Sequence, residues 1–173
     1  MNAKLAGLNA AAPAQFVATL GGVFEHSPWV AERALAARPF GDIDALHAAM
    51  MGAVTAATRD EQLALIRAHP ELAGREAVEG TLTTDSSSEQ GRLGISSLSR
   101  PEFERITALN KAYRERFGFP CIIALALHPD RASVFAAFEQ RVANTPEQEL
   151  HAALEQIGHI TRSRLLRLTA SAA

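Results

Sequence analysis

Apolar residues along this chain recur at three- and four-residue spacing rather than in alternation, which is the pattern of amphipathic helices. Leu46, Met50, Ala53 and Val54 share one face of a helix predicted over residues 43–57, with Asp42 as its cap. Thr58 and Glu61 stand at capping-box spacing ahead of Leu63, Leu65 and Ile66, and Pro70 predicts that this helix ends near His69. Ser27 ahead of Pro28 opens an earlier segment that Pro39 closes. Ser99 and Glu102, with Pro101 between them, begin a helix carrying Phe103, Ile106, Asn110 and Tyr113, and Gly118 supplies its stop. Asp130 caps a segment with Val134, Phe135 and Phe138; Thr145, Pro146 and Gln148 open a last helix that runs to about Leu168. Strand signals are almost absent. The apolar run Cys121 to Leu127, after Gly118 and Pro120, reads as a buried strand or a buried helix, and its surroundings favour helix. Residues 80–99, rich in Thr, Ser and Gly, read as a functional loop or a short helix with polar flanks. The prediction is an all-α, single-domain bundle of about eight or nine helices. Its core spans residues 15–168, and the first dozen residues and the Ala170–Ala173 tail are expected to be mobile.

Composition agrees and narrows the function. The 173 residues are 47% hydrophobic, 21% charged and 6% aromatic, and thirty-four of them are alanine, the best helix former. A chain of this size buries enough surface to fold without disulfide or metal staples. The net charge of −2 gives no basic excess for nucleic acid, and no run of 18 apolar residues exists to cross a bilayer. The single cysteine, Cys121, excludes an intrachain disulfide and a multi-cysteine zinc site. No phosphate loop, dinucleotide fingerprint, EF-hand or His-Glu-x-x-His pattern is present, and no internal repeat appears.

Three places could carry chemistry. His69 follows a predicted helix C-terminus, where unpaired carbonyls favour an imidazolium; it is either a proton donor or a plain C-capping residue. The run Ser86-Ser87-Ser88-Glu89-Gln90 offers hydroxyls, a carboxylate and an amide to a small polar ligand. It reads equally as an N-terminal cap, with Ser86 capping and Glu89 as its partner; if Glu89 opens a helix, the positive dipole end keeps it ionised. Arg164 falls at or inside the apolar stripe of the last helix, marked by Leu150, Leu154, Ile157, Thr161, Leu165 and Leu168. A guanidinium there binds a substrate anion or makes an internal salt bridge. Cys121 itself reads as a small buried hydrophobe. The histidines His47, His151 and His159 lack partners at metal-ligand spacing, so no metal site is expected.

Taken together, several segments resemble the 2-oxo-4-hydroxy-4-carboxy-5-ureidoimidazoline (OHCU) decarboxylases of uric acid breakdown. They are Phe24-Glu25-His26-Ser27-Pro28-Trp29-Val30-Ala31-Glu32, His69-Pro70-Glu71-Leu72-Ala73-Gly74, Ser86 to Gln90, Phe117-Gly118-Phe119-Pro120, Ile122-Ile123-Ala124 and Arg164-Leu165. Each is short; their order and spacing make the match specific. The resemblance implies an all-helical, usually dimeric enzyme that needs no cofactor. It implies His69 as catalytic acid with Glu89 beside it, and substrate contacts from Pro70, Ser86, Gln90 and Arg164, with Arg162 the alternative to Arg164. It further implies that main-chain groups of Cys121, Ile122, Ile123, Ala124 and Leu125 line the pocket. Cys121 stands where the family often has phenylalanine, and Ala126 where many members carry a basic residue.

The implied reaction is cofactor-independent loss of CO2 from OHCU to give (S)-allantoin, with a small molecule as the only partner besides a second copy of the chain. Two other readings compete: a non-catalytic helical interaction module and a metal-dependent hydrolase. The chain shows neither an export signal nor a Ser-Lys-Leu-type ending, so the cytoplasm is the expected location.

Overall fold

A computed structural model describes residues 3–170. Among them are ten α-helices and no strand: α1 (Ala3–Ala10), α2 (Pro13–Leu20), α3 (Trp29–Ala34), α4 (Ile43–Thr55), α5 (Arg59–Arg67), α6 (Arg75–Glu79), α7 (Thr84–Arg92), α8 (Arg100–Phe117), α9 (Arg131–Val142) and α10 (Pro146–Thr169). The fold class is all-α. The count exceeds the expected eight or nine because α1 and the short α6 lie in segments whose patterning is weak. No helix among the described residues is long and apolar enough to cross a membrane.

Local signals placed most boundaries. Asp42 accepts from the Ala45 N–H at the start of α4, and Asp130 accepts from the Ser133 N–H at the start of α9. Both capping boxes form, Thr58 with Glu61 on α5 and Ser99 with Glu102 on α8. Gly118 ends α8 with φ of 75°, a left-handed conformation that an L side chain resists.

The chain divides into two compact units, residues 3–68 with 158–170, and residues 69–157. The first contains α1–α5 and the C-terminal part of α10. Its core is built on Phe16, Leu20, Val30, Leu46, Met50, Ile66 and Leu165, all essentially inaccessible. The expectation of a mobile start is corrected here. Leu5 and Leu8 of α1 are buried, and Asn9 exchanges two hydrogen bonds with the Phe40 main chain, at 2.9 and 2.8 Å. Arg38 donates to the Ala11 carbonyl at 2.6 Å and lies over the Phe16 ring. Burial and these bonds offset the entropy of ordering residues 3–12. The tail from Ser171 to Ala173 lies outside the described residues.

The second unit holds α6–α9 and the N-terminal part of α10. Ile95, Ile106, Tyr113, Phe138 and Ile157 form its core, while Phe103 is 42% exposed. A buried polar cluster runs through it. Glu149, wholly buried, accepts from Tyr113 Oη, from Arg141 Nε at 2.6 Å and from Asn144 Nδ2 at 2.8 Å. The favoured helix over Cys121–Leu127 is also corrected. Residues 121–124 are irregular, with Ala124 in extended backbone, and only Leu125–Leu127 form a 3-10 turn. Side chains take the main-chain groups that a helix would pair internally. Arg141 Nη1 donates to the Ile122 carbonyl at 2.7 Å, the Ala124 N–H donates to Gln156 Oε1 at 2.9 Å, and Arg92 donates to the Leu125 carbonyl.

Candidate active site

His69 lies in an irregular loop. Helix α5 closes at the Ala68 C-cap, and residues 69–74 follow before α6. His69 is 6% exposed, so the ring is a buried group and not a solvated helix cap. Pro70 is half-buried beside it. The loop closes with a turn in which the Gly74 N–H donates to the Glu71 carbonyl at 3.2 Å. Ala73 occupies left-handed backbone with φ of 48°, a conformation costing about 1 kcal/mol for a residue with a Cβ. A Cβ on Gly74 would fall 2.6 Å from the Cβ of Glu71, so only glycine permits the turn to pack this tightly.

The Thr- and Ser-rich stretch contains a helix. Thr83, not Ser86, caps α7 and accepts from the Ser86 N–H. Glu89 therefore sits in the second half of α7, and the dipole argument for its ionisation does not apply. Helical spacing brings Ser86, Glu89 and Gln90 to one face at i, i+3 and i+4. Ser86 and Gln90 are buried and Glu89 is half-buried, whereas Ser87 and Ser88 point to solvent. Gln90 joins this face to the His69 loop: its Oε1 accepts from the Ala73 N–H at 3.0 Å, and its Nε2 donates to the Glu71 carbonyl at 3.2 Å. The structure thus brings the His69–Pro70 loop and the Ser86–Glu89–Gln90 face together within one unit.

The run Cys121 to Leu125 is buried in the same unit. The Cys121 thiol is pushed up to about 12 by burial, which outweighs the opposing pull of the Arg141 guanidinium. The Ile122 carbonyl, Ala124 N–H and Leu125 carbonyl are engaged by side chains, as described above.

Arg164 belongs to the other unit and is 3% exposed. Its Nη1 donates to Glu25 Oε2 at 2.7 Å, and the Glu25 carboxylate is equally buried. Arg162, the alternative, is exposed and bound to Asp44 at 3.0 Å through its Nε. The stripe reading of α10 is accurate at Thr161, Arg164 and Leu165, whereas Leu168 is turned outward and Thr169 is buried. No group of three or more His, Cys, Asp and Glu side chains capable of holding a metal ion occurs among the described residues.

Sequence reading missed the supporting groups. Asn110 Nδ2 donates to the Leu72 carbonyl at 2.9 Å, and Arg114 binds Glu71 through its Nε, also at 2.9 Å. Glu25 was present only as part of a matched segment. A signal existed for Asn110: it is a polar side chain on the apolar face of α8.

The protein is of the all-α class, and within it a buried histidine loop is clasped to a polar helix face. Comparison with known proteins specifies the family. The OHCU decarboxylase family model matches residues 9–166. The chain is 44% identical to the 2-oxo-4-hydroxy-4-carboxy-5-ureidoimidazoline decarboxylase of Haloferax volcanii, covering 87% of this chain and 86% of that protein. It is 38% identical to the mouse protein of the same name, covering 89% and 86%. Among solved structures, an (S)-allantoin synthase superposes with a TM-score of 0.73 at 35% identity, over 95% of this chain and 53% of that one. An OHCU decarboxylase in the presence of (S)-allantoin shares the fold at a TM-score of 0.68 and 20% identity, over 93% and 100%. The chain belongs to the OHCU decarboxylase family.

Proposed function

We propose that this protein is a carboxy-lyase that converts OHCU to (S)-allantoin and CO2 in uric acid degradation, and that residues 1–173 form one decarboxylase domain. OHCU carries a carboxylate and a hydroxyl on one ring carbon beside an electron-poor carbonyl–nitrogen system. When the carbon–carboxylate bond breaks, its electron pair passes into that conjugated ring and CO2 leaves. The hydroxyl-bearing carbon then gives up its hydroxyl proton and becomes a ring carbonyl, while a proton adds from one side to the neighbouring carbon that carries the ureido group, which sets the configuration of the product. The protein's task is to hold the carboxylate perpendicular to the ring, stabilise the developing charge and deliver the proton to one face. No cofactor is required as an electron sink.

In this reading His69 is the proton donor and Glu89 sits beside it, engaging the hydroxyl and carboxylate region with it. Pro70, Ser86 and Gln90 contact the substrate. Three main-chain groups of residues 121–125 are already bound by Arg141, Gln156 and Arg92. Substrate contacts from that run therefore fall to its remaining main-chain groups. The observation that carries the reading is the Gln90 clasp, which joins a buried histidine to a helix face bearing a carboxylate, a hydroxyl and an amide. The working protein is a cytoplasmic homodimer, a state that light scattering and cell fractionation test.

The deciding experiment follows circular dichroism while OHCU is generated from urate by added urate oxidase and the hydrolase that follows it. The wild-type protein yields optically active (S)-allantoin. His69→Asn yields racemic product at the spontaneous rate; undiminished optical activity in that variant would remove His69 as the donor.

A further inference from the structure

The loop that carries His69 has no helix or sheet of its own to satisfy its main chain. Two neighbouring helices do this with side chains. From α7, Gln90 takes the Ala73 N–H and the Glu71 carbonyl. From α8, Asn110 donates to the Leu72 carbonyl at 2.9 Å across 38 residues of sequence. One turn further along α8, Arg114 holds the Glu71 carboxylate. Three successive loop residues, Glu71 to Ala73, are thereby fixed, with Ala73 in a backbone conformation it would not choose alone.

Asn110 differs from the other two clasping residues. Arg114 is well exposed, so its ion pair contributes little. Gln90 is assigned to the substrate as well as to the loop. Asn110 is 6% exposed, and Leu72 lies three residues beyond His69. We infer that Asn110 is a positioning residue: its hydrogen bond to the Leu72 carbonyl sets where the loop places the His69 imidazole. The carbonyl is buried with Leu72, and without the Asn110 amide it loses that donor in an interior where water does not replace it readily. The loop then relieves both this and the strain at Ala73 by moving. A displacement of about 1 Å in a proton donor costs roughly a hundredfold in rate with little effect on substrate affinity.

The catalytic consequence rests on the decarboxylase reading; the positioning itself rests on geometry alone, so the test has two readouts. Asn110→Leu keeps the bulk and removes the donor, and Asn110→Ser is a smaller variant for use where leucine fits poorly. In folded variant protein, nitrogen-15 NMR of the six histidines, with His69 assigned by its loss in His69→Asn, is expected to show the His69 ring signals moved and the signals of the histidines distant from the loop unmoved. Steady-state kinetics on OHCU are expected to show kcat lower by about 10- to 100-fold with KM within about threefold. Unmoved His69 signals together with unchanged kcat, at a temperature where both variants are folded, would overturn the inference and leave Asn110 a stability residue. Moved His69 signals in a protein whose wild type does not decarboxylate OHCU would uphold the positioning role and refute the enzymatic reading.

Discussion

Cys121 carries a reactive group into a place that suppresses it. The thiol is buried among Tyr113, Arg141 and Glu149, and desolvation raises it from an ordinary 9.0 to about 12. Its thiolate is the nucleophilic form, so the native side chain is inert at neutral pH. Native protein is expected to show no reaction with a thiol reagent such as Ellman's at pH 8, and one thiol per chain after unfolding. The linkage has a definite sign. The folded value is raised, so this contribution to stability is intact below pH 9 and is lost as pH rises from 9 through about 12, where the unfolded chain releases the proton first. A Cys121→Ala variant, measured by denaturant melts across that window, should lose less stability between pH 9 and 11 than the wild type. An equal slope would show that the thiol does not titrate differently on folding. The same burial explains why the sequence reading of Cys121 as a small hydrophobe was accurate, although the surrounding ionisable groups were not visible in it.

Helix boundaries were legible because their signals are local. The Thr58–Glu61 box places donor and acceptor three residues apart, and the structure forms both halves of it. The irregular run at Cys121–Ala124 was not legible, because the groups that hold it, Gln156 and Arg141, lie 32 and 19 residues away. Thr83 was overlooked as the cap of α7 for a different reason: Ser86 and Glu89 offered the same spacing, and only the burial of Ser86 separates the two registers. At α5 the cap does further work, since the Glu61 carboxylate also binds Arg33 of α3 at 2.5 Å, and Arg33 lies over the Trp29 ring. The Arg33 guanidinium and the Thr58 N–H hold the Glu61 carboxyl down to about 2. A lowered carboxyl contributes stability that is present above its unfolded value of 4.5 and is lost as pH falls through about 2. Glu61→Gln should therefore flatten the acid limb of the stability profile between pH 4.5 and 2. Thr58→Ala should cost about 1 kcal/mol at neutral pH. Thermal melts check both; an acid limb identical in Glu61→Gln and wild type would mean that the pair with Arg33 is too exposed to matter.

At the scale of the whole molecule, each compact unit contains a buried carboxylate paired with a guanidinium, Glu25 with the buried Arg164 in the first and Glu149 with the partly buried Arg141 in the second. Neither pair is a source of stability in proportion to its Coulomb attraction, because both charges were taken out of water to form it. Breaking one is another matter: the stranded guanidinium costs about 3–5 kcal/mol. Glu25→Gln and Glu149→Gln should each destabilise the protein on that scale. How the loss appears in calorimetry tests the proposal of a single domain. The 24 residues of α10 run without a break from the second unit into the first, the division falling between Ile157 and Gly158. Unfolding either unit alone would leave half of that helix without the packing that stabilises it, and isolated helices of about a dozen residues are marginal in water. The expected result is one heat-absorption peak in the wild type, moved down as a whole by either substitution, with calorimetric and van't Hoff enthalpies equal in all three proteins. Two peaks, one lowered only by Glu25→Gln and the other only by Glu149→Gln, would overturn the single-domain proposal and make each unit its own folding module.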